Sequence, residues 1–321
     1  MNVLVTGGAG YIGSTLAPIL LAAGHRVRVL DSLVHGGQSL LGVWAHPGFE
    51  FRLNDVRNRE AVRNAVSEMD AVVHLAAIVG DPACARQPEM AREVNLNASL
   101  ELLEECNRQG VSRFIFASTC SNYGRMSGAE TYVDETTELN PISLYAETKV
   151  AVERAVLSST GTGTCKTLLR FATVFGVSPR MRFDLTVNEF TLDLLTKKRL
   201  TVYGEQFWRP YIHVRDAARA IELVLASPAD KVRNEVFNAG STEENYQKQQ
   251  LVELIRAYEP EARVEFIHRD EDPRDYRVSF AKISTQLGFD ATLRVPDGID
   301  EVARLIKLGL LVDFDSPSYR N

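Results

Sequence analysis

"VLVTGGAGYIGSTLA", residues 3–17, runs from an apolar stretch through spaced glycines into an amphipathic pattern. The apolar run reads as a strand, and Gly7, Gly10 and Gly13 mark its turn into a helix. Glycine suits that turn because the chain bends tightly, the backbone approaches a ligand closely, and the helix packs against the strand. The N–H groups of Tyr11, Ile12 and Gly13 then open the helix at its positive end, which suits a pyrophosphate. An acid answers the glycines: Asp31 closes "HRVRVLD" (25–31), eighteen residues beyond Gly13. A carboxylate there accepts hydrogen bonds from an adenosine ribose and repels a 2′-phosphate, so NAD is expected in preference to NADP. Asp55-Val56 follows the third apolar run, where Asp55 either meets the adenine amino group or caps the next helix.

Outward from this loop, "VRVL" (27–30), "FEFR" (49–52), "AVVHLAA" (71–77), "RFIFAS" (113–118) and "TLLRFATV" (167–174) read as strands. Helical patterns near 12–23, 59–67, 85–109 and 143–159 separate them. The alternation predicts an α/β fold, a doubly wound parallel sheet covered on both faces. After about residue 175 the rhythm breaks into the arginine-rich loop "GVSPRMRFD" (176–184), a helix over 185–198 and a strand over 199–204. "YIHVRDAARAIELVLAS" (211–227) passes from strand to helix, and "EVFNAG" (235–240) reads as another buried strand. Residues 1–175, joined by about 211–240, are therefore expected to form the cofactor domain. Residues 176–210 and 241–321 form a smaller C-terminal lobe, ending in a loosely held tail, "DFDSPSYRN" (313–321).

The 321 residues are 45% hydrophobic and 24% charged, with a formal net charge of −6. That is ordinary globular composition, and its acidity argues against nucleic acid as the main partner. "MNVLVTGGAG" lacks a basic leader and no apolar run reaches membrane-spanning length, so a cytoplasmic address is expected. Cys84, Cys106, Cys120 and Cys165 are scattered without CxxC pairing and are expected to be free thiols, with no metal site.

"SLYAETK" (143–149) places Tyr145 and Lys149 on one helical face. With "TGGAGYIG", Asp31, "NDV" (54–56), "HLAA" (74–77), "STCSNYG" (118–124) and "YIHVRD" (211–216), in that family's order, the chain resembles the extended short-chain dehydrogenase/reductases, in the sugar-nucleotide epimerase/dehydratase group. "ATVFGVSPRMRFDLTVNEFT" (172–191) and "PRDYRVS" (273–279) add a nearer resemblance to bacterial GDP-heptose 4-dehydrogenases. The resemblance implies a bound NAD, contacts from Leu75, Ala76 and Ala77, a nucleoside-diphosphate sugar as substrate, and a homodimer pairing helices 85–109 and 143–159 across a twofold axis. It implies that Tyr145 transfers the proton, that Lys149 lowers its pKa and bonds the nicotinamide ribose, and that Thr119 orients the sugar hydroxyl.

Where the group's 4,6-dehydratases carry Asp-Glu after that threonine, this chain has Cys120-Ser121. A hydroxyl is no base and a thiol is a poor acid, so 4,6-dehydration is disfavoured. Cys120 serves either a different elimination or local packing. Cys120, Ser121 and Asn122 are candidate substrate contacts, and Arg180 and Arg182 are candidates for the sugar or a second phosphate; Arg209, Arg274 and Asn188 are candidates for the diphosphate, since arginine pairs with phosphate through a planar fork. Oxidation at C4, as a dehydrogenase or a 4-epimerase, is the expected chemistry. A non-catalytic NAD-binding protein is the alternative of a different class.

Overall fold

A computed structural model describes residues 1–125, 132–159, 163–269 and 275–321. The first part runs β1 (Asn2–Thr6), α1 (Tyr11–Ala22), β2 (Arg26–Asp31), β3 (Phe49–Leu53), α2 (Arg59–Val66), β4 (Ala71–His74), α3 (Asp81–Arg86), α4 (Pro88–Arg92), α5 (Ala98–Gln109) and β5 (Arg113–Thr119). Next come β6 (Tyr132–Val133), α6 (Leu144–Ser158), β7 (Cys165–Phe171), β8 (Thr173–Phe175), α7 (Thr186–Lys197), β9 (Arg199–Tyr203), β10 (Trp208–His213) and α8 (Val214–Ala226). The chain ends with α9 (Ala229–Val232), β11 (Glu235–Ala239), β12 (Asn245–Gln247), α10 (Lys248–Arg256), β13 (Arg263–Ile267), β14 (Arg277–Val278), α11 (Ala281–Leu287) and α12 (Val295–Lys307).

Seven parallel strands form the central sheet in the order β11-β7-β5-β4-β1-β2-β3. Successive residues of each strand feed opposite faces. Val3, Val5 and Ile115 join α1 and α8 in one buried layer, with Leu16, Leu20, Ala217 and Ile221. Leu4, Phe114 and Phe116 join α2, α5 and α6 in the other, with Val62, Leu102 and Val152. The strand order reverses between β1 and β4, and sheets of this kind bind ligands at the carboxyl ends of such neighbours. A further core, built on Phe175, Val187, Leu194, Tyr211, Leu251 and Ile299, lies outside the sheet.

The structure redraws several boundaries. The single helix expected over 85–109 is three segments with a π turn at Glu93–Asn97, because Pro88 starts a new helix and cannot donate to the turn before it. The strand expected over 167–174 divides at Ala172: β8 leaves the sheet and pairs in parallel with β10. The expected loose tail is docked. Tyr319 accepts the Phe183 N–H through its carbonyl at 2.9 Å, and its ring and that of Phe314 meet Phe183 edge-on. The cap of α2 is settled as well: Asn58, not Asp55, accepts from the Glu60 and Ala61 N–H groups.

Candidate active site

The glycine loop has the shape its residue types require. Gly7 has φ +72°, and a Cβ there would lie 2.7 Å from the Ala76 nitrogen. A Cβ on Gly13 would meet the Gly7 carbonyl oxygen at 2.5 Å. Gly8, which the spacing of the other glycines did not single out, sits against Val29 so closely that a Cβ would meet its methyls at 2.5 Å. Helix α1 opens at Gly10 with no side-chain cap and no acidic residue in its first turn. Its first N–H groups have no intrahelical acceptor, so the loop is a cradle for an anion. Asp31 closes it: its carboxylate accepts from Ala9 (3.0 Å) and Leu33 (2.8 Å), while burial raises its pKa against those bonds. These residues fit a dinucleotide. Gly13→Ala should therefore lose bound NAD, at a steric cost of about 1–3 kcal/mol, as read by the nucleotide content of the purified protein.

A buried relay sets the loop facing the glycines. Ser99 donates to the Asn95 carbonyl (2.9 Å) and so receives the His74 Nε2 proton (2.8 Å). His74 Nδ1 is then the acceptor for the Thr6 hydroxyl (2.7 Å), and Thr6 Oγ1 accepts from Ala76 N–H (3.3 Å). Burial, and then Lys149, push His74 down to about 3, so the ring is neutral and this single tautomer persists. Leu75, Ala76 and Ala77 are thereby held half-buried above Gly7. "HLAA" was legible as a motif, but the relay was not, because Thr6, His74 and Ser99 are far apart in the chain.

Tyr145 and Lys149 stand one turn apart on α6, whose N-cap Ser143 donates to Asp81 (2.7 Å). Lys149 is 3% exposed and donates to the Ala117 carbonyl on β5 (2.8 Å). Its ammonium lies 4.6 Å from the Phe116 ring centroid and 5.9 Å from that of Tyr145. Lys149 thus ties the tyrosine helix to the strand that ends in Thr119. Burial pushes Lys149 down to about 8, against Cys84 and Glu153. The protein groups around Tyr145 act against the expected lowering of its pKa. Burial, and then Cys84, push the half-buried phenol up, and Arg182 is the neighbour that opposes them.

Thr119 accepts from the Ser121 N–H (3.1 Å), and the two hydroxyls lie 2.8 Å apart. Cys120 points away from them: it is buried, donates to the Arg170 carbonyl (3.2 Å), and burial holds its thiol well above the ordinary range. Asn122, expected near the sugar, is also buried and donates to Ser118 (3.1 Å) and Glu153 (2.9 Å). Both residues face inward because β5 ends over an enclosed ion pair. Arg170 and Glu153, 5% and 2% exposed, meet at 2.6 Å, and Arg170 also donates to Tyr123 (3.0 Å).

The other expected contacts divide. Tyr11 presents only its main chain to the cradle, since its hydroxyl donates to Gly176 and accepts from Asn188 (3.1 Å). Asn188 is fully buried and its amide bonds Gly176, Tyr11 and Arg182, so it braces the loop. Arg182 is paired through two bonds with Asp184 (2.9 and 2.8 Å), and its charge reaches Tyr145. Arg209 is buried, donates to the Trp208 carbonyl (2.7 Å) and lies over Tyr276. Asp55 pairs with Arg57 (2.8 Å) beside the buried Val56, and Ile12 is half-buried on the first turn of α1. Arg274 lies outside the described residues.

Comparison with known proteins agrees with this geometry. Residues 3–240 match the model of the NAD dependent epimerase/dehydratase family. A dTDP-glucose 4,6-dehydratase of Streptomyces niveus is 28% identical over 94% of this chain and 91% of its own length. The crystal structure of a Thermus thermophilus UDP-glucose 4-epimerase in complex with NAD superposes with a TM-score of 0.84 at 29% identity, covering 97% of this chain and all of that one. The UDP-glucuronic acid 4-epimerase of Bacillus cereus, in complex with UDP-glucuronic acid and NAD, superposes with a TM-score of 0.86 at 26% identity, covering 96% and 99% of the two chains. With its glycine cradle, Asp31 and seven-stranded parallel sheet, this chain belongs to the NAD-dependent epimerase/dehydratase family of extended short-chain dehydrogenase/reductases.

Proposed function

We propose that the protein oxidises a nucleoside-diphosphate sugar at C4, as a 4-dehydrogenase or a 4-epimerase. The observation that carries this reading is the Lys149–Ala117 bond, which joins the Tyr145 helix to the strand ending in Thr119. Bound NAD+ supplies the hydride acceptor. Thr119 holds the sugar hydroxyl, and Tyr145, as phenolate, takes its proton while the carbon is oxidised. Arg209 and Arg274 are the proposed diphosphate contacts, and Ser121 and Arg182 the proposed sugar contacts. The division into a cofactor domain and a substrate lobe, and dimerisation through α5 and α6, belong to the same proposal.

The two residues after Thr119 disfavour elimination. Cys120 is turned into the core and Ser121 shares its hydroxyl with Thr119, so neither position offers a carboxylic acid or a base. The nucleotide-sugar epimerase that this chain resembles carries UDP-glucuronic acid together with NAD, which supports the substrate class. The test is a panel of nucleotide sugars incubated with the protein and followed by product mass. Loss of two hydrogens, or an unchanged mass with an inverted centre, supports the proposal; loss of water rejects it.

The pH profile is set by the Tyr145 environment. Burial favours the neutral phenol, whereas Lys149 and the positive nicotinamide favour phenolate, so kcat/KM should rise with pH as Tyr145 deprotonates. Removing the ammonium in Lys149→Met should move that rise to higher pH, by about one unit or more, in initial-rate measurements across pH 6–10. An unmoved profile would detach Lys149 from the proton transfer.

A further inference from the structure

Arg180 is a buried charge that the proposed reaction does not use. It sits in the 176–184 loop between β8 and α7 and is 5% exposed. Its main-chain N–H donates to Ser14 Oγ on α1 (3.3 Å). Two residues earlier, Ser178 donates to the Tyr11 carbonyl (2.7 Å) and accepts from Thr15 (3.2 Å). The loop is thus stitched to the first turns of the helix that the glycines open. The Arg180 guanidinium gives one bond to the Arg320 carbonyl (2.9 Å), while its enclosed Nε has no partner.

Its surroundings are positive. Burial, and then Arg182, push Arg180 down to about 10. The nearby carboxylate of Asp184 is committed to Arg182 and to the Asn321 N–H (3.0 Å). His35, in the loop after β2, is pushed down to about 4 by burial, then by Arg180 and Arg182, and so adds no charge. The opening turn of α1 carries no acidic residue. A buried guanidinium whose nearby carboxylate, Asp184, is bonded to other groups is costly, and an orphaned donor adds to that cost. The arrangement suits an anion, beside a helix terminus that is shaped to receive one.

We propose that Arg180 is a cofactor-binding residue, whose guanidinium pairs with the dinucleotide pyrophosphate received by the first turn of α1. The glycine cradle supplies main-chain N–H groups, and Arg180 adds a planar, charge-assisted donor pair from a different part of the chain. The bond from Arg180 to Arg320 extends the closure to the C-terminal segment, and Arg86 of α3 reaches the same segment through the Asn321 carbonyl (2.9 Å). Release of the cofactor then requires the 176–184 loop to lift from α1. The proposal rests on the family's NAD site and not on the C4 chemistry, so either can fail without the other.

The experiment uses full-length Arg180→Met and Arg180→Lys, stripped of nucleotide and titrated with ADP-ribose and with adenosine. In Arg180→Met the ADP-ribose affinity should fall about tenfold to a hundredfold, with adenosine binding unchanged. Arg180→Lys keeps the charge without the fork and should fall between that variant and the wild type. Nucleotide content after purification should follow the same order. An ADP-ribose affinity within about twofold of wild type in Arg180→Met overturns the proposal, and so does an equal loss of adenosine affinity. Should Arg180→Met not fold, the same two criteria apply to Arg180→Lys.

Discussion

Tyr145→Phe is expected to lose turnover and to keep NAD bound. The hydroxyl is the only group lost, and in the proposed mechanism it is the group that takes the sugar proton. A positioned base contributes about 10²–10⁴-fold, so the variant's kcat should fall by that factor. The ring itself is half-buried on the first turn of α6, and phenylalanine preserves its packing. Cofactor content should be unchanged because Lys149 keeps its bond to Ala117 without any help from the phenol. Steady-state rates and nucleotide content of the same preparation check both halves. A variant with full activity would remove Tyr145 from the mechanism, whereas a variant without NAD would show that the phenol holds the site together.

The largest effect on stability is expected at Glu153. Its carboxylate takes Arg170 through Nε and Nη2, and it also accepts from Ser118 and from Asn122 (2.9 Å). Burial opposes the Arg170 charge, but the bonds to Glu153 hold its pKa above the ordinary range. Glu153→Ala strands that guanidinium among the ends of β5, β7 and β11, where Tyr123 in turn donates to Asn238 (2.7 Å). Breaking a buried pair by removing one partner costs about 3–5 kcal/mol, and denaturant unfolding should show a loss of that size. The double variant Glu153→Leu with Arg170→Met should recover much of it, since neither charge of the pair is left stranded. A loss below about 1 kcal/mol in Glu153→Ala would mean that water reaches the site.

Glu153 also shows where sequence reading stops. The face bearing Tyr145 and Lys149 continues to Glu153 at the same spacing, yet nothing local says that its partner is Arg170 on a different strand. The glycine cradle, Asp31 and the alternation of strands and helices were legible because each depends on short-range backbone demands. The inward turn of Cys120 and Asn122 was not, because it is decided by the ion pair beneath them. Asn188 illustrates the same limit: a polar residue on an amphipathic helix looks available to a ligand until the Gly176 loop folds onto it. Pro88 could have been read as a break, since it cannot sit inside a continuous helix over 85–109. The docking of Tyr319 on Phe183 could not, as the tail has little periodicity of its own.

The central claim is that the sugar is oxidised at C4 and loses no water. The most direct measurement is the product mass and label position after reaction with a nucleotide sugar deuterated at C4. The account predicts either a keto product from which the C4 deuterium has gone, or an epimer of unchanged mass that retains it at C4. A product lighter by one water, with the deuterium moved to C6, would contradict it.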